Sequence, residues 1–298
     1  MNNRKALLGP VRLPFLVLPP ACVLLGVGTA VWTQGSINAL YVVLAFVGAV
    51  AAHISVNALN EYFDFRSGLD LRTERTPFSG GSGTLPASPE MERPALTIGL
   101  VALAITALIG LYFLTVWGWA LLPLGLLGFV VVAAYTTWLT RSPLLCLLAP
   151  GLGFGLLMVM GTDFVLTGSY TWTAFVASLV PTFLVSDLLL LNQFPDVEAD
   201  ESVGRRHFPI VVGRRTSSLI YGAFLLLAYL SIVVGVVLGL LPVASLLGLL
   251  TLIIAVPTAM NVYRYAENLE KLVPQMGINV LLTVVTPVLV AIGLLVAP

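Results

Sequence analysis

Long apolar stretches alternate with short polar links along the whole chain. A helix that crosses a bilayer needs roughly 20 mostly apolar residues. Short links such as Trp117-Gly118 make neighbouring helices antiparallel. The pattern predicts an all-α membrane protein, a single domain over residues 1–298 with nine transmembrane helices. The predicted helices span residues 13–33, 37–59, 95–116, 119–140, 144–166, 173–192, 217–240, 243–263 and 273–297.

Composition agrees with a chain that lies in lipid. Hydrophobic residues make up 58% of the sequence, charged residues make up 9%, and the mean hydropathy is +1.01. Soluble domains carry about 25% charged residues. Cys22 and Cys146 both lie inside apolar stretches, which argues against a disulfide framework and against a thiolate metal site. The expected partner is a lipid bilayer, with no nucleic acid, and the oligomeric state is left open.

The basic residues predict an orientation. In a nine-helix arrangement all Lys and Arg side chains fall on the same side of the membrane. The positive-inside rule makes that side cytoplasmic and places the C-terminus outside. The expected location is the cell (inner) membrane. These residues are Arg4, Lys5, Arg12, Arg66, Arg72, Arg75, Arg93, Arg141, Arg205, Arg206, Arg214, Arg215, Arg264 and Lys271.

Two acidic stretches follow apolar helices on this predicted cytoplasmic side. Each begins with Asn-x-x-x-Asp, and this spacing puts both side chains on one face of a helix. Ser67-Gly68 and Pro195 predict that the helices end within the stretches. The first stretch contains Asn60, Glu61, Asp64 and Asp70, and the second contains Asn192, Asp196 and Asp200.

Four predicted helices separate the two stretches, so both copies keep the same orientation. The simplest architecture is a parallel repeat of helices one to four and five to eight, followed by a ninth helix. Repeat folds in membranes commonly place binding sites at the repeat interface. The sequence therefore predicts that both stretches face one central cavity.

The residues of the stretches indicate a magnesium diphosphate site. Carboxylates that share a low-dielectric cavity repel one another unless a cation or protons neutralise them. Carboxylate and amide oxygens favour Mg²⁺, which can bridge a carboxylate to a substrate phosphate. Guanidinium groups are suited to the remaining phosphate oxygens. The arginines that follow the stretches are Arg66, Arg72, Arg75, Arg205 and Arg206. The backbone N–H groups of the glycine-rich residues 79–83 could approach phosphate oxygens, but a flexible linker is the favoured interpretation.

These motifs resemble those of the UbiA superfamily of intramembrane prenyltransferases. The pattern Asn60-x3-Asp64-x5-Asp70, with Gly-Gly-Ser-Gly-Thr-Leu-Pro at residues 80–86, is most similar to the branch that contains 1,4-dihydroxy-2-naphthoate prenyltransferases. The pattern Asn192-x3-Asp196-x3-Asp200, followed by Gly-Arg-Arg at residues 204–206, is similar to the second family motif. Two departures are Glu61, where the family often has Asp, and His207, where many members have Thr.

The resemblance implies Mg²⁺-dependent transfer of an isoprenyl group from an isoprenyl diphosphate to an aromatic acceptor of the quinone-precursor type. Asp64 and Asp196 would be catalytic. Loss of the diphosphate would leave an allylic carbocation that aromatic faces stabilise. The resemblance leaves the acceptor and the prenyl length open. The metal ligands that it implies are Asn60, Glu61, Asp64, Asp70, Asn192, Asp196 and Asp200. The substrate ligands that it implies are Asn60, Asn192, Arg66, Arg72, Arg75, Arg205 and Arg206.

Further polar residues lie close to the predicted site. Asp187 is an intramembrane carboxylate, and such groups are usually functional, so we expect it to face the cavity and to bind the acceptor or take its proton. Asn57 and Arg141 are candidate substrate ligands, although Arg141 also suits an interface anchor. His53 is interpreted as a packed, hydrogen-bonded histidine, and Asp163 as a loop residue.

Two other functions are compatible with parts of this pattern. A terpene cyclase of the same family would keep the fold and the metal site and need no acceptor. A secondary transporter would also contain a repeat and polar groups in the membrane. Transporters, however, place their acidic groups near the bilayer centre on broken helices, whereas these acids cluster at one interface.

Overall fold

The computed structural model describes residues 7–135 and 138–297, and these residues form helices and no strand. Arg4 and Lys5 lie outside the described residues. The long helices are α1 (Leu13–Gln34), α2 (Ala39–Ser67), α3 (Glu92–Trp117), α4 (Leu122–Ala134), α5 (Pro143–Thr167), α6 (Trp172–Asn192), α7 (Gly213–Val237), α8 (Val243–Arg264) and α9 (Leu269–Val296). Short helices cover Leu69–Leu71, Thr84–Ala87, Pro89–Met91, Gly118–Leu121, Leu139–Arg141, Val197–Ser202 and Phe208–Val211.

The predicted count of nine transmembrane helices is not confirmed. Within the described ranges, eight segments are long and apolar enough to cross a membrane, and one of them, Pro89–Ala134, contains both α3 and α4. A straight helix of that length would extend about 70 Å, more than twice the roughly 30 Å hydrocarbon core. Gly118 interrupts it with φ 70° and ψ −162°, a conformation that glycine adopts readily.

Equivalent helices of the predicted repeat form the most extensive pairs. These pairs are α2 with α3 and α6 with α7, and α9 packs against α1, α6 and α8. Small residues allow such close packing where no hydrophobic force drives helices together in lipid. Gly151 and Gly155 of α5, for example, lie directly against the backbone of Thr182 in α6. The helix pairing agrees with the predicted architecture.

The ends of α2 and α6 carry the two acidic stretches, as predicted. Gly68 closes α2 in a left-handed conformation, and its N–H donates to the carbonyls of Asp64 and Phe65. This cap turns the chain so that Asp70 follows on a short 3-10 helix. Helix α6 ends at Asn192, and after Pro195 the chain continues into Val197–Ser202. Val197–Ser202 packs against Leu69–Leu71, so the two stretches meet in space.

Candidate active site

A cavity of about 600 Å³ lies among α2, α3, α4 and α5, and both acidic stretches line it. Along α2 the lining runs from Asp64 back to Ala45, which corresponds to about 28 Å of helix. Most of this length is apolar. The structure brings together at this cavity eight polar residues that were predicted to form the site: Asn57, Asn60, Asp64, Asp70, Asn192, Asp196, Asp200 and Arg205.

Arg205 joins the two stretches directly. Its guanidinium group forms ion pairs with Asp64 of the first stretch and, at 3.0 Å, with Asp200 of the second. Burial alone would lower the pKa of Arg205, but the carboxylates of Asp64 and Asp200 outweigh burial and raise it. The other carboxylate oxygen of Asp200 lies 3.0 Å from Nε2 of His207. A positive charge therefore sits between the predicted metal ligands.

Asp70 and Asp196 lie in a strongly unfavourable setting for two negative charges. Burial, together with Glu61 and Asp64, raises the pKa of Asp70 to about 7. Burial and Asp200 raise the pKa of Asp196 to about 7 as well. Both groups are outside the membrane-spanning helices, at the end of the cavity. A cation at this end would offset the repulsion.

The donor atoms at this end fit Mg²⁺. Buried oxygens of Asp70 (Oδ2), Asn192 (Oδ1) and Asp196 (Oδ1) have no hydrogen-bond partner among the described residues. In the described part of the chain, no three His, Cys, Asp or Glu side chains form a ready-made metal cage. Mg²⁺ usually keeps several waters and uses one or two carboxylates plus substrate phosphates. The arrangement thus suits a metal that binds together with a diphosphate.

Residues 79–83 do not form the flexible linker that the sequence suggested. Ser82 donates to both carboxylate oxygens of Glu61, through its N–H at 2.6 Å and its hydroxyl at 2.8 Å. Asp196 accepts hydrogen bonds from the Ser79 side chain and the Gly80 N–H. Gly81 has φ 72°, and a Cβ there would lie 3.1 Å from Oδ1 of Asp70. The glycines let this loop connect both acidic stretches.

Glu61 is not placed as a metal ligand. It is fully buried, does not line the cavity, and pairs with Arg12 as well as with Ser82. Adjacent helical residues point about 100° apart, so Glu61 lies to one side of Asn60, about 60° from Asp64. Its carboxylate is directed to Arg12 and Ser82 and does not line the cavity. We therefore leave Glu61 out of the proposed metal site.

Arg12 is a cavity residue that the sequence did not identify. It precedes α1, has a left-handed backbone with φ 53°, and donates from Nε to Glu61 at 2.8 Å. Burial alone would lower the pKa of Arg12. The negative charges of Glu61 and the nearby Asp64 outweigh this effect, so the pKa of Arg12 is raised. No local pattern predicts this contact, because Arg12 and Glu61 are 49 residues apart.

Most of the predicted arginine ligands lie outside the cavity. Arg66 donates to the Tyr62 hydroxyl at 2.9 Å, and Arg72 donates to the Ser202 hydroxyl at 3.2 Å. Arg75 covers Gly83 of the loop. These side chains reach water or local partners, as long basic side chains at an interface commonly do. Arg66, Arg72, Arg75, Arg141 and Arg206 are exposed and do not line the cavity.

Two other carboxylates also depart from the predictions. Asp187 does not face the cavity; it is fully buried near Tyr221 of α7, and neither carboxylate oxygen has a partner in the described chain. Five helical residues separate it from Asn192, which turns it about 140° away from the cavity face. Asp163 is buried within α5 and accepts hydrogen bonds from Thr29 and Thr171, so it is not a loop residue.

Sequence comparisons find related proteins over most of the chain. The chain is 27% identical over 192 residues to 1,4-dihydroxy-2-naphthoate octaprenyltransferase from Bacillus subtilis, which covers 62% of this chain and 59% of that protein. It is 27% identical over 243 residues to digeranylgeranylglyceryl phosphate synthase from Pyrococcus horikoshii, covering 76% of this chain and 80% of that protein. The match to the Bacillus protein thus spans less than two thirds of its length.

Solved structures share the whole architecture. A UbiA homolog from Aeropyrum pernix K1 superimposes with a TM-score of 0.67 at 17% identity, over 96% of this chain and 98% of that one. A UbiA homolog from Archaeoglobus fulgidus, bound to GPP and Mg²⁺, superimposes with a TM-score of 0.57 at 14% identity, over 96% and 99% of the two chains. The family model for UbiA prenyltransferases matches residues 18–294. The chain therefore belongs to the UbiA prenyltransferase family.

Proposed function

We propose that this protein transfers an isoprenyl group from an isoprenyl diphosphate to an aromatic acceptor within the membrane, with Mg²⁺ as cofactor. The observation that carries the proposal is the meeting of both acidic stretches at one end of a mostly apolar cavity. One end suits a metal diphosphate, and the remainder suits an isoprenyl chain and a ring. The family and the Bacillus relative agree with this division.

The acidic end would hold the metal and the diphosphate. Bound Mg²⁺ supplies Lewis-acid stabilisation of the negative charge that develops on the departing diphosphate. Arg12 and Arg205 contribute positive charge at the same end. The bound state of the Archaeoglobus homologue, with GPP and Mg²⁺, supports the assignment. The metal ligands proposed here are Asn60, Asp64, Asp70, Asn192, Asp196 and Asp200.

The apolar part of the cavity would protect the reactive carbon chain. Aromatic rings line it, among them Phe15, Phe78, Phe154 and Tyr135. The faces of such rings attract a developing carbocation, and apolar walls exclude the water that would quench it. The diphosphate leaves with the electron pair of its C–O bond, which frees the first carbon of the isoprenyl group. An electron-rich ring carbon of the acceptor forms the new C–C bond with it and then loses its proton.

The lining favours an aromatic acceptor over a glyceryl phosphate, the type of acceptor that the name of the Pyrococcus relative implies. A glyceryl phosphate would bring a second phosphate into the cavity, and buried phosphate needs paired cations. Among the described lining residues the Arg and Lys side chains are Arg12 and Arg205. Both are already paired with carboxylates at the diphosphate end. A quinone precursor such as 1,4-dihydroxy-2-naphthoate carries one carboxylate, so it needs less positive charge than a phosphate, and its ring suits the aromatic lining of the cavity.

We further propose that the acidic end opens to the cytoplasm in the cell (inner) membrane, with the C-terminus outside. The support is the clustering of arginines around the acidic stretches, since cytoplasmic loops carry an excess of Lys and Arg. Arg66, Arg72 and Arg206 are exposed next to this end of the cavity.

The experiment is an acceptor screen with purified protein in detergent, Mg²⁺ and geranyl or geranylgeranyl diphosphate, read by mass spectrometry. We expect a prenylated product with 1,4-dihydroxy-2-naphthoate and release of diphosphate that depends on this acceptor. Product formation with geranylgeranylglyceryl phosphate alone would overturn the aromatic acceptor. Hydrocarbon release without acceptor would instead identify a terpene cyclase, and the absence of any diphosphate release would favour transport.

A further inference from the structure

A polar stripe continues from the acidic end into the apolar part of the cavity. Asp64, Asn60, Asn57 and His53 follow one another at helical spacing on a single face of α2, and all four line the cavity. His53 is eleven residues before Asp64, and it therefore lies about 16 Å deeper along the helix axis. The deep cavity thus contains a titratable ring among apolar neighbours.

His53 is packed but its hydrogen bonding is incomplete. Its side chain is 6% exposed, and its ring meets Phe154 of α5 edge to face, with the centroids 4.8 Å apart. The sequence predicted this packing correctly. It also predicted a hydrogen-bonded ring, yet Nδ1 has no hydrogen-bond partner among the described residues. A buried polar atom without a partner is unfavourable, and a bound polar ligand would offset this cost.

We propose that His53 recognises the acceptor by a hydrogen bond between its Nδ1 and an acceptor hydroxyl group. This inference rests on the proposed function and specifies the acceptor as a hydroxyaromatic compound. An isoprenyl chain alone offers no group for Nδ1, because burying a polar atom against hydrocarbon is unfavourable.

The spacing along α2 suits a donor and an acceptor in series. Starting from Asp64, a metal–oxygen bond takes up about 2 Å, and the diphosphate and the reacting carbon follow. A final hydrogen bond to His53 takes up about 2.8 Å. About 11 Å of the 16 Å interval is left for the diphosphate, the reacting carbon and an acceptor ring whose hydroxyl group faces His53. Recognition at this depth orients the acceptor ring for attack.

The test compares His53→Phe, His53→Asn and His53→Gln with 1,4-dihydroxy-2-naphthoate as acceptor and geranyl diphosphate as donor. Phe keeps the ring and its packing on Phe154 but removes both nitrogens. Asn keeps a polar atom near the position of Nδ1, and Gln keeps one near Nε2. We expect His53→Phe and His53→Gln to raise the acceptor KM about tenfold, the loss of one hydrogen bond, with the donor KM unchanged. His53→Asn should stay within about twofold of wild type.

Two results would overturn the inference. One is an unchanged acceptor KM in His53→Phe, and the other is an equal rise in the KM of acceptor and donor. If His53→Phe does not fold, the comparison of His53→Asn with His53→Gln decides in the same way. Ser55→Ala is the matched control, since Ser55 is a buried polar residue of α2 that does not line the cavity. Failure of the proposed function is separate, because wild-type protein would then prenylate no aromatic acceptor.

Discussion

Carboxylates in this protein differ in environment according to whether they line the cavity. Asp64 and Asp196 line the cavity, whereas Asp187 lies on the opposite face of α6 and is enclosed by other helices. All three follow or interrupt apolar runs, and a buried carboxylate is costly at any of these positions. The cavity pair can be compensated by a metal and by Arg205. Asp187 has no such compensation from the described residues.

We predict that Asp64→Asn and Asp196→Asn each lower kcat/KM by at least about a hundredfold, because each removes a carboxylate ligand of the Mg²⁺ that would stabilise the negative charge on the leaving diphosphate. Asp187→Asn should leave kcat/KM within about twofold of wild type, since its carboxylate does not reach the cavity. Diphosphate release at saturating Mg²⁺ measures all three variants. A circular dichroism spectrum and a thermal melt show whether each variant is folded.

The three variants are matched, because each replaces a carboxylate by the amide of the same shape. Near-normal turnover in Asp64→Asn would remove the proposed metal site. A hundredfold loss in Asp187→Asn would restore the catalytic role that the sequence suggested for this residue and would contradict its position in the structure.

At the scale of elements, the loop of residues 79–83 depends on a buried anchor. Glu61 of α2 holds Ser82 of the loop and Arg12 of the N-terminal segment, and Asp196 holds the other end of the loop. Hydrogen bonds to charged groups contribute about 1.5–3 kcal/mol each. The anchor therefore fixes where the loop backbone lies above the acidic end of the cavity.

A shorter side chain at position 61 distinguishes two roles for Glu61, support of the loop and binding of the metal. We predict that Glu61→Asp lowers kcat/KM about tenfold or more, because a carboxylate that is one methylene shorter cannot keep its bonds to both Arg12 and Ser82. Glu61→Gln should lose less, since its amide still bonds to Ser82. The assay is diphosphate release over a range of donor concentrations. A metal ligand would behave in the opposite order, with Asp active and Gln inactive, and this order would contradict the loop assignment.

Local patterns predicted the elements well and long-range contacts poorly. Hydropathy located the helices, and the paired spacing of Asn60 with Asp64 and Asn192 with Asp196 located the cavity end. Hydropathy located the link at Trp117-Gly118, but it could not show that the helical structure continues through this link, because it records apolarity and not backbone conformation. The contact of Arg12 with Glu61 also leaves no local trace, since the tertiary fold alone brings them together.

At the scale of the whole molecule, both halves of the chain meet at the acidic end. The first half supplies Asp64, Asp70 and the loop, and the second half supplies Asp196, Asp200 and Arg205. Ion pairs and hydrogen bonds cross between the halves at Arg205 and at Asp196. Neither half contains a complete site, so occupancy of the site is expected to stabilise the pairing of the halves.

This coupling predicts a pH-dependent effect of Mg²⁺ on stability. The pKa values of Asp70 and Asp196 are raised to about 7 in the folded protein, whereas an unfolded Asp has a pKa near 3.9. Between about pH 4 and pH 7 the folded state thus binds more protons than the unfolded state. The free energy of unfolding of metal-free protein should fall as pH rises through this window, and the loss should be complete above about pH 7.

Mg²⁺ should reverse this loss because it binds the deprotonated carboxylates. We expect added Mg²⁺ to raise the midpoint of thermal unfolding by a few degrees at pH 8 and to have little effect at pH 5, where protons already occupy the site. Intrinsic fluorescence during heating in detergent measures both midpoints. The double variant Asp70→Asn with Asp196→Asn should abolish the difference between the two pH values. An equal Mg²⁺ effect at pH 5 and pH 8 would show that the ion acts elsewhere, and the two halves would then lack the coupling that the acidic end implies.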